Sequence, residues 1–148
     1  MNRRLVTVLL YWFCLSLTAF AEEPKMNLSK IAQISVRAKD LQRATAFYRD
    51  TLELKIIVST PVISIAECGG VFLLISKAET PELDHPSSVI YFDVDDIQKT
   101  TADLLSRNVK IDDKPHIVGQ LGNQDVWVAI FRDSEDNLVG LISRTPRK

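Results

Sequence analysis

The sequence has few of the residues from which small catalytic or metal centres are usually built. Its 148 residues include two cysteines and two histidines, His85 and His116. Two cysteines exclude a disulfide scaffold and a cysteine-rich zinc site. Five glycines and six prolines, with 46% hydrophobic and 25% charged residues, exclude collagen-like, low-complexity and wholly disordered chains. The length allows one domain.

The sequence also lacks an excess of charge of either sign. The formal net charge is -1, from 18 basic and 19 acidic residues, so no field exists that would hold a nucleic acid backbone by charge alone. The sequence contains no phosphate-binding glycine loop, no dinucleotide fingerprint and no Ser-His-Asp order. We therefore expect no nucleic acid partner and no nucleotide cofactor.

The one long uncharged run stands at the N-terminus. Two arginines precede residues 5–18, which carry no charge, and Ala19-Phe20-Ala21 has the small-x-small pattern of a signal peptidase site. This order predicts a secretory signal peptide over residues 1–21, cleaved after Ala21, and a short tail over residues 22–28. The alternative is an uncleaved anchor helix, but the run is shorter than the ~20 residues that span a bilayer. We expect a periplasmic or secreted protein with no membrane contact after cleavage.

The remainder of the chain contains an internal repeat. Residues 40–46 (DLQRATA) recur 56 positions later as residues 96–102 (DIQKTTA). A second similarity relates residues 71–76 to residues 138–143 at a separation of 67, which predicts an 11-residue insertion in the second half. One supersecondary unit has therefore been used twice.

Each copy predicts the order β-α-β-β-β. Residues 31–38 alternate as a half-buried strand does, and Asp40 is a helix N-cap before an amphipathic segment that runs to Leu52. Apolar runs separated by Pro61 and Gly69-Gly70 predict three further strands. The second copy repeats this order, with a strand at 89–94, an N-cap at Asp96, a helix through Leu105, and strands near Val109, at 126–132 and at 138–143. The fold class is α+β, a single domain over residues 29–148 with units at about 29–77 and 87–143.

These motifs resemble those of the vicinal oxygen chelate superfamily, which includes glyoxalases, extradiol dioxygenases and bleomycin-resistance proteins. Residues 46–54 (AFYRDTLEL) are similar to its helix motif Phe-Tyr-x-x-x-Leu-Gly-Leu, with Glu53 in place of glycine. Residues 131–137 (FRDSEDN) are similar to its closing hairpin, without the usual Pro and Gly, so that Asp136 takes the turn position of the glycine. The resemblance covers about residues 29–143. It implies that the two units form a curved mixed sheet around a cavity and that the protein is a homodimer.

The resemblance also implies where a divalent metal would bind, on the first and last strands of the units. Carried over position by position, these places are Gln33, Leu73, Val89 and Gly140. Only Gln33 offers a donor, and one neutral amide is a weak ligand by itself. We therefore expect no metal and no cofactor. Gln33 is then either a hydrogen-bonding group in the cavity or a satisfied buried residue.

The strand alternation supplies further candidates for ligand binding. Ser35 and Arg37 share the face of Gln33, and the repeat offset places Tyr91 and Asp93 beside them. Arg37 and Asp93 either contact a ligand or pair with each other.

Two further candidates follow the second helix. Trp127 forms a cavity wall or packs in the core, depending on the strand register. His116, in the inserted stretch, is a candidate ligand-binding group and a conceivable general base. The alternative for His116, which needs no catalytic partner, is a loop histidine at the cavity rim. No catalytic residue can be assigned.

Two classes of function remain. The first is a metal-free module that binds a small, partly apolar molecule in its sheet cavity, as bleomycin-resistance proteins sequester their drug. The second is a metal-dependent enzyme, either a glyoxalase-like lyase or isomerase or a dioxygenase. The missing ligands at three of four places favour the first. A structural role without a ligand is the third alternative.

Overall fold

The structure is a computed structural model that describes residues 28–147. The predicted signal peptide and tail residues 22–27 lie outside the described residues. The first unit comprises β1 (Gln33–Arg37), α1 (Leu41–Ala46), β2 (Lys55–Ser59), β3 (Ile63–Cys68) and β4 (Val71–Ser76). The second comprises β5 (Ile90–Asp93), α2 (Ile97–Ser106), β6 (Ile111–Leu121), β7 (Gln124–Arg132) and β8 (Leu138–Pro146). No helix within residues 28–147 is long and apolar enough to cross a membrane.

Each unit forms one four-stranded mixed sheet. The strand orders are β1-β4-β3-β2 and β5-β8-β7-β6, with the first pair of each sheet parallel and the others antiparallel. The parallel pair requires a crossover, which the helix and two strands between its members provide. The sheets are curved and do not close into a barrel. The predicted tandem βαβββ fold is confirmed.

The two helices begin alike and end differently. Asp40 and Asp96 are both N-caps, and each carboxylate accepts the backbone N–H three residues on, at 3.0 and 2.9 Å. After α1 the chain continues as a π-helical turn, Phe47–Thr51. The helix exits at Glu53 and Asn108 have φ of 59° and 61° and lie 55 positions apart, one fewer than the N-caps. The π turn therefore accommodates one extra residue in the first unit.

The core lies on the helix side of both sheets. Two buried clusters share Phe47, Leu52 and Phe92, which pack against both. The helix sides of the two units thus pack against each other, and each sheet keeps a second side, here called its open face, that points away from this core.

The strand register corrects the separation predicted for the last strands. Ile34 pairs with Leu73, and its repeat equivalent Ile90 pairs with Val139, so the separation is 66 rather than 67. The equivalent of Gly140 is accordingly Leu74, whereas Leu73 is 1% exposed in the core. A run of apolar residues matches itself almost as well after a shift of one, but that shift moves every side chain to the other face.

The additional residues of the second unit extend its β6–β7 hairpin. These strands have 11 and 9 residues, against 5 and 6 in β2 and β3. His116 lies within β6 and not in a loop as the sequence indicated. The inserted residues pair as strands because a hairpin satisfies its own backbone hydrogen bonds.

The turn between β7 and β8 joins the two units. The buried carboxylate of Glu135 accepts the backbone N–H groups of Lys39 and Asp40 at 2.8 and 2.9 Å, and Nε of Arg43 at 2.8 Å. Burial would raise the pKa of Glu135, but these hydrogen bonds outweigh burial and hold it below its ordinary value. The second unit thus anchors the N-terminus of α1.

A buried tyrosine adds a second bond between the units. The hydroxyl of Tyr48, in the π turn, donates to Asp133 at 3.0 Å. Burial, together with the neighbouring Asp133 carboxylate, raises the pKa of Tyr48 far above its ordinary value.

Candidate functional site

The place that the resemblance assigns to a metal-binding carboxylate is occupied by an aromatic ring. Tyr91 pairs with Gly140 in the parallel register of β5 and β8. A Cβ atom added at Gly140 would lie 2.3 Å from Cδ1 and 2.8 Å from Cγ of Tyr91. The tyrosine ring therefore lies across the glycine, and any side chain at position 140 would displace it.

The three other positions that the resemblance assigns to metal ligands do not make up for the missing carboxylate at Gly140. With the corrected register they are Gln33, Leu74 and Val89, and only the first carries a donor atom. Within residues 28–147 no group of three or more His, Cys, Asp or Glu residues is placed to hold a metal ion. A catalytic metal generally needs about three protein ligands. The residues at these places do not fit the metal centre that the resemblance implies.

Three of the predicted ligand-binding residues share the open face of the second sheet. Cross-strand pairing connects Tyr91 to Gly140, Ile130 and Asp113 in one row, and Asp93 to Ile142, Val128 and His116 in the next. Paired residues of neighbouring strands project to the same side. This open face thus has an apolar centre, with Tyr91 and Asp93 at one edge and His116 at the other. Tyr91 itself is 48% exposed.

His116 has local polar partners. Its Nδ1 lies 2.9 Å from the carbonyl oxygen of Lys114 and 3.6 Å from a carboxylate oxygen of Asp113. Both partners lie on the same strand, so the orientation of the ring is set within β6. This arrangement fits a polar group at the edge of the face.

The two charged candidates do not pair with each other. Nε of Arg37 donates to Asp84 at 2.6 Å, and Asp93 accepts from Nη1 of Arg144 at 3.2 Å. The alternative of an Arg37–Asp93 ion pair is therefore wrong. β1 and β5 belong to separate sheets, and each charge finds its partner on its own side.

Ser35 and Arg37 line a cavity on the open face of the first sheet. The cavity has a volume of about 470 Å³ and is covered by the linker, residues 77–89, which joins the two units. Gln33 lies on the same face beside Phe72, outside the lining of this cavity. The structure thus places the predicted residues on two faces and does not bring them into one cavity.

The linker is what the sequence reasoning missed. It contributes His85, Leu83, Ser87 and Ser88 to the lining, and the sequence analysis assigned no ligand-binding residue to it. The available signal was the pair Asp84-His85, two ionisable residues beside a proline in a connecting segment.

Trp127 lies on the opposite side of the second sheet. It packs against the buried cluster that contains Ala129 and Phe131, and its Nε1 donates to Oγ1 of Thr145 at 3.1 Å. Of the two alternatives left by the sequence, the structure therefore shows core packing.

Comparison with known proteins identifies the family. Residues 30–141 match the model of the Glyoxalase/Bleomycin resistance protein/Dioxygenase superfamily, and the chain belongs to that superfamily. No curated protein sequence matches it significantly.

Solved structures of the same superfamily share the fold. One is lactoylglutathione lyase from Agrobacterium tumefaciens, at 22% identity over 78% of this chain and 93% of that one, with a TM-score of 0.62. Another is TnmS3, an antibiotic binding protein from Streptomyces sp. CB03234, at 22% identity over 82% of this chain and 100% of that one, with a TM-score of 0.65.

Proposed function

We propose that the protein is a metal-free binding module that holds a small, partly apolar molecule against the open faces of its sheets. The observation that carries this proposal is the ring of Tyr91 over Gly140. At the place where the family holds a metal, this chain offers a half-exposed aromatic surface. Aromatic side chains supply large contact areas in ligand sites. The similar fold of TnmS3, named an antibiotic binding protein, agrees with this proposal.

The enzyme alternative depends on a metal and is tested directly. Addition of Zn²⁺, Ni²⁺, Mn²⁺ or Fe²⁺ should leave the melting temperature unchanged, because an ion stabilises the protein only by binding its native state. The matched variant is Gln33→Ala, which removes the only donor among the four places. A stoichiometric metal that survives dialysis and is lost in Gln33→Ala would overturn the proposal in favour of a metal-dependent enzyme.

Binding itself is tested with a compound library. Native mass spectrometry and thermal shift should find apolar small molecules that bind, and Tyr91→Ala should weaken a hit on the second sheet by ~1–3 kcal/mol, as for a lost aromatic anchor. The matched control is Phe72→Ala, which removes an exposed ring from the first sheet. Binding should be measured by calorimetry and not by tryptophan fluorescence, because Trp127 lies on the other side of the sheet. Unchanged affinity in Tyr91→Ala would remove this residue from the site.

We also propose that the protein is exported and works in the periplasm or outside the cell. The support is the order of basic start, uncharged run and Ala19-Phe20-Ala21. N-terminal sequencing of the periplasmic fraction should begin at Glu22. A chain that starts at Met1 in the membrane pellet would contradict cleavage.

A homodimer is the third part of the proposal. The extended hairpin exposes three apolar residues, Ile117, Val118 and Leu121, at 47%, 54% and 60%, and a second copy packed on this hairpin would bury them. Light scattering should give twice the chain mass, and Val118→Lys with Leu121→Lys should reduce it to one chain. A monomeric wild-type protein at micromolar concentration would exclude the dimer.

A further inference from the structure

The cavity under the linker differs from the second sheet's open face in its chemistry. One wall is the open face of β1 and β4, with Ser35, Leu74 and Ser76, and the other is the linker, with Leu83 and His85. Its volume of about 470 Å³ lies within the range of small-molecule sites. The cavity is therefore large enough for a ligand and combines apolar with polar surface.

Arg37 lines this cavity and a neighbouring one, its backbone is fixed by hydrogen bonds, and its guanidinium has donors without a partner among residues 28–147. Its backbone N–H donates to Oγ of Ser87 at 2.9 Å, and its carbonyl oxygen accepts from Nδ2 of Asn137 at 2.8 Å. The side chain is only 18% exposed. Among residues 28–147, Nε is the one atom of its guanidinium that forms a hydrogen bond, so both Nη groups have donors to spare.

Within residues 28–147, the one partner of that guanidinium comes from the linker. Asp84 contacts Nε at 2.6 Å, and its own side chain is 59% exposed. Its segment has no regular structure beyond the short turn of Pro81–Leu83. A largely buried cation needs a counter-charge, but an exposed carboxylate gains little by serving as one. Another carboxylate can replace Asp84 without leaving Arg37 unpaired.

The remaining lining fits the body of such a ligand. Leu74 and the 55%-exposed Leu83 supply apolar surface, and Lys77 adds a second cation that partly offsets Glu79. We propose that this cavity binds a small organic acid whose carboxylate replaces that of Asp84 on Arg37 while its apolar part lies against the two leucines. This inference rests on the proposed function only in that an open sheet face binds a small molecule.

The test uses two probes of nearly equal shape, phenylacetate and phenylacetamide, and isothermal titration calorimetry at low salt and neutral pH. The wild-type protein should prefer the carboxylate, and the preference should decrease as salt screens the charges. Asp84→Asn should tighten phenylacetate binding by about threefold, because an exposed competing ion pair is lost. Arg37→Gln should weaken it at least ~10-fold, to the level of the amide.

Controls separate this inference from general effects. Glu82→Gln makes the same charge change on the linker without touching Arg37, and should leave both affinities unchanged. If Arg37→Gln is unstable, titration of the wild-type protein with phenylacetate should shift the NMR resonance of the Arg37 Nε–H group, and Arg37→Lys should retain part of the preference.

Three results would overturn the inference: equal binding of acid and amide, no tightening in Asp84→Asn, or no binding of phenylacetate at millimolar concentrations. Each of these leaves the proposed function standing if a library hit still depends on Tyr91. Loss of that dependence, with the acid preference intact, would instead overturn the assignment of Tyr91.

Discussion

In the second unit, the turn between β7 and β8 carries Asp133 and Glu135, whose side chains bond to the π turn and the helix start of the first unit. In the first unit, the corresponding turn between β3 and β4 is Gly69-Gly70, which has no side chain with which to reach α2. The two units have the same strand order, but this turn contributes side chains to the contact between the units in the second unit and none in the first.

The open faces of the two sheets also differ between the units. The first sheet's face is covered in part by the linker, which supplies Asp84 to Arg37. The second sheet's face presents Tyr91 across Gly140. The repeat therefore determines the topology, whereas the turns and the linker, where the copies have diverged, determine how the units are joined and what each face can bind.

The largest predicted effect is on the bond between the units. Glu135→Ala removes a carboxylate with 0% side-chain exposure that accepts two backbone N–H groups and Arg43. Loss of one partner of a buried charged pair leaves the other groups unpaired. We expect the free energy of unfolding to fall by about 3 kcal/mol, measured by urea denaturation near neutral pH.

The matched control is Glu67→Ala in the first unit, just before the glycine turn. Glu67 is exposed and lies 3.8 Å from Lys55, so its loss should cost less than ~0.5 kcal/mol. Because the pKa of Glu135 is held low, its contribution is present above the ordinary glutamate pKa and is lost as the pH falls through the lower folded-state value. Equal losses in the two variants would show that the buried contacts of Glu135 stabilise the protein no more than an exposed ion pair within one unit does.

The second prediction concerns the open face of the second sheet. Gly140→Ala forces the Tyr91 ring away, since the new Cβ would lie 2.3 Å from it, and should cost about 2 kcal/mol, as overpacking typically does. In a Tyr91→Ala background the same substitution should be neutral or stabilising, because alanine is better than glycine in a strand. A double-mutant cycle by thermal unfolding measures this coupling, and additive effects would contradict the close contact.

The sequence was sufficient for the fold because its signals are local. The N-caps Asp40 and Asp96 and the alternation of β1 are properties of short segments, and the structure retains them. The partners of Arg37 and Asp93 were not predictable, because Asp84 and Arg144 reach them through chain segments whose path no local pattern encodes. Sequence reasoning therefore found the sheet faces, while the charges that complete them required the structure.

The third prediction uses pH to test the buried tyrosine that bonds the first unit to the second. The pKa of Tyr48 is raised in the folded protein. Its contribution to the free energy of unfolding is therefore complete below pH ~10, near the ordinary tyrosine pKa, and is lost as the pH rises toward the folded-state pKa. Above pH ~10 the wild-type free energy of unfolding should fall by up to ~1.4 kcal/mol per pH unit more than that of Tyr48→Phe. Parallel profiles for wild type and Tyr48→Phe would exclude this linkage.

The smallest effect distinguishes the two helix exits. Glu53 and Asn108 both have positive φ, at 59° and 61°, where a residue with a Cβ is strained and asparagine is less so than glutamate. Glu53→Gly should therefore raise the free energy of unfolding by about 0.5 kcal/mol. The relief of backbone strain should exceed two losses: the exposed ion pair with Arg107 and the conformational entropy that glycine adds to the unfolded chain. Asn108→Gly should change it by less than ~0.3 kcal/mol. Chemical denaturation of both variants in one titration series resolves the difference. If Glu53→Gly is destabilising while Asn108→Gly is neutral, the contact with Arg107 outweighs the backbone strain, and the π-helical exit of the first unit depends on that ion pair.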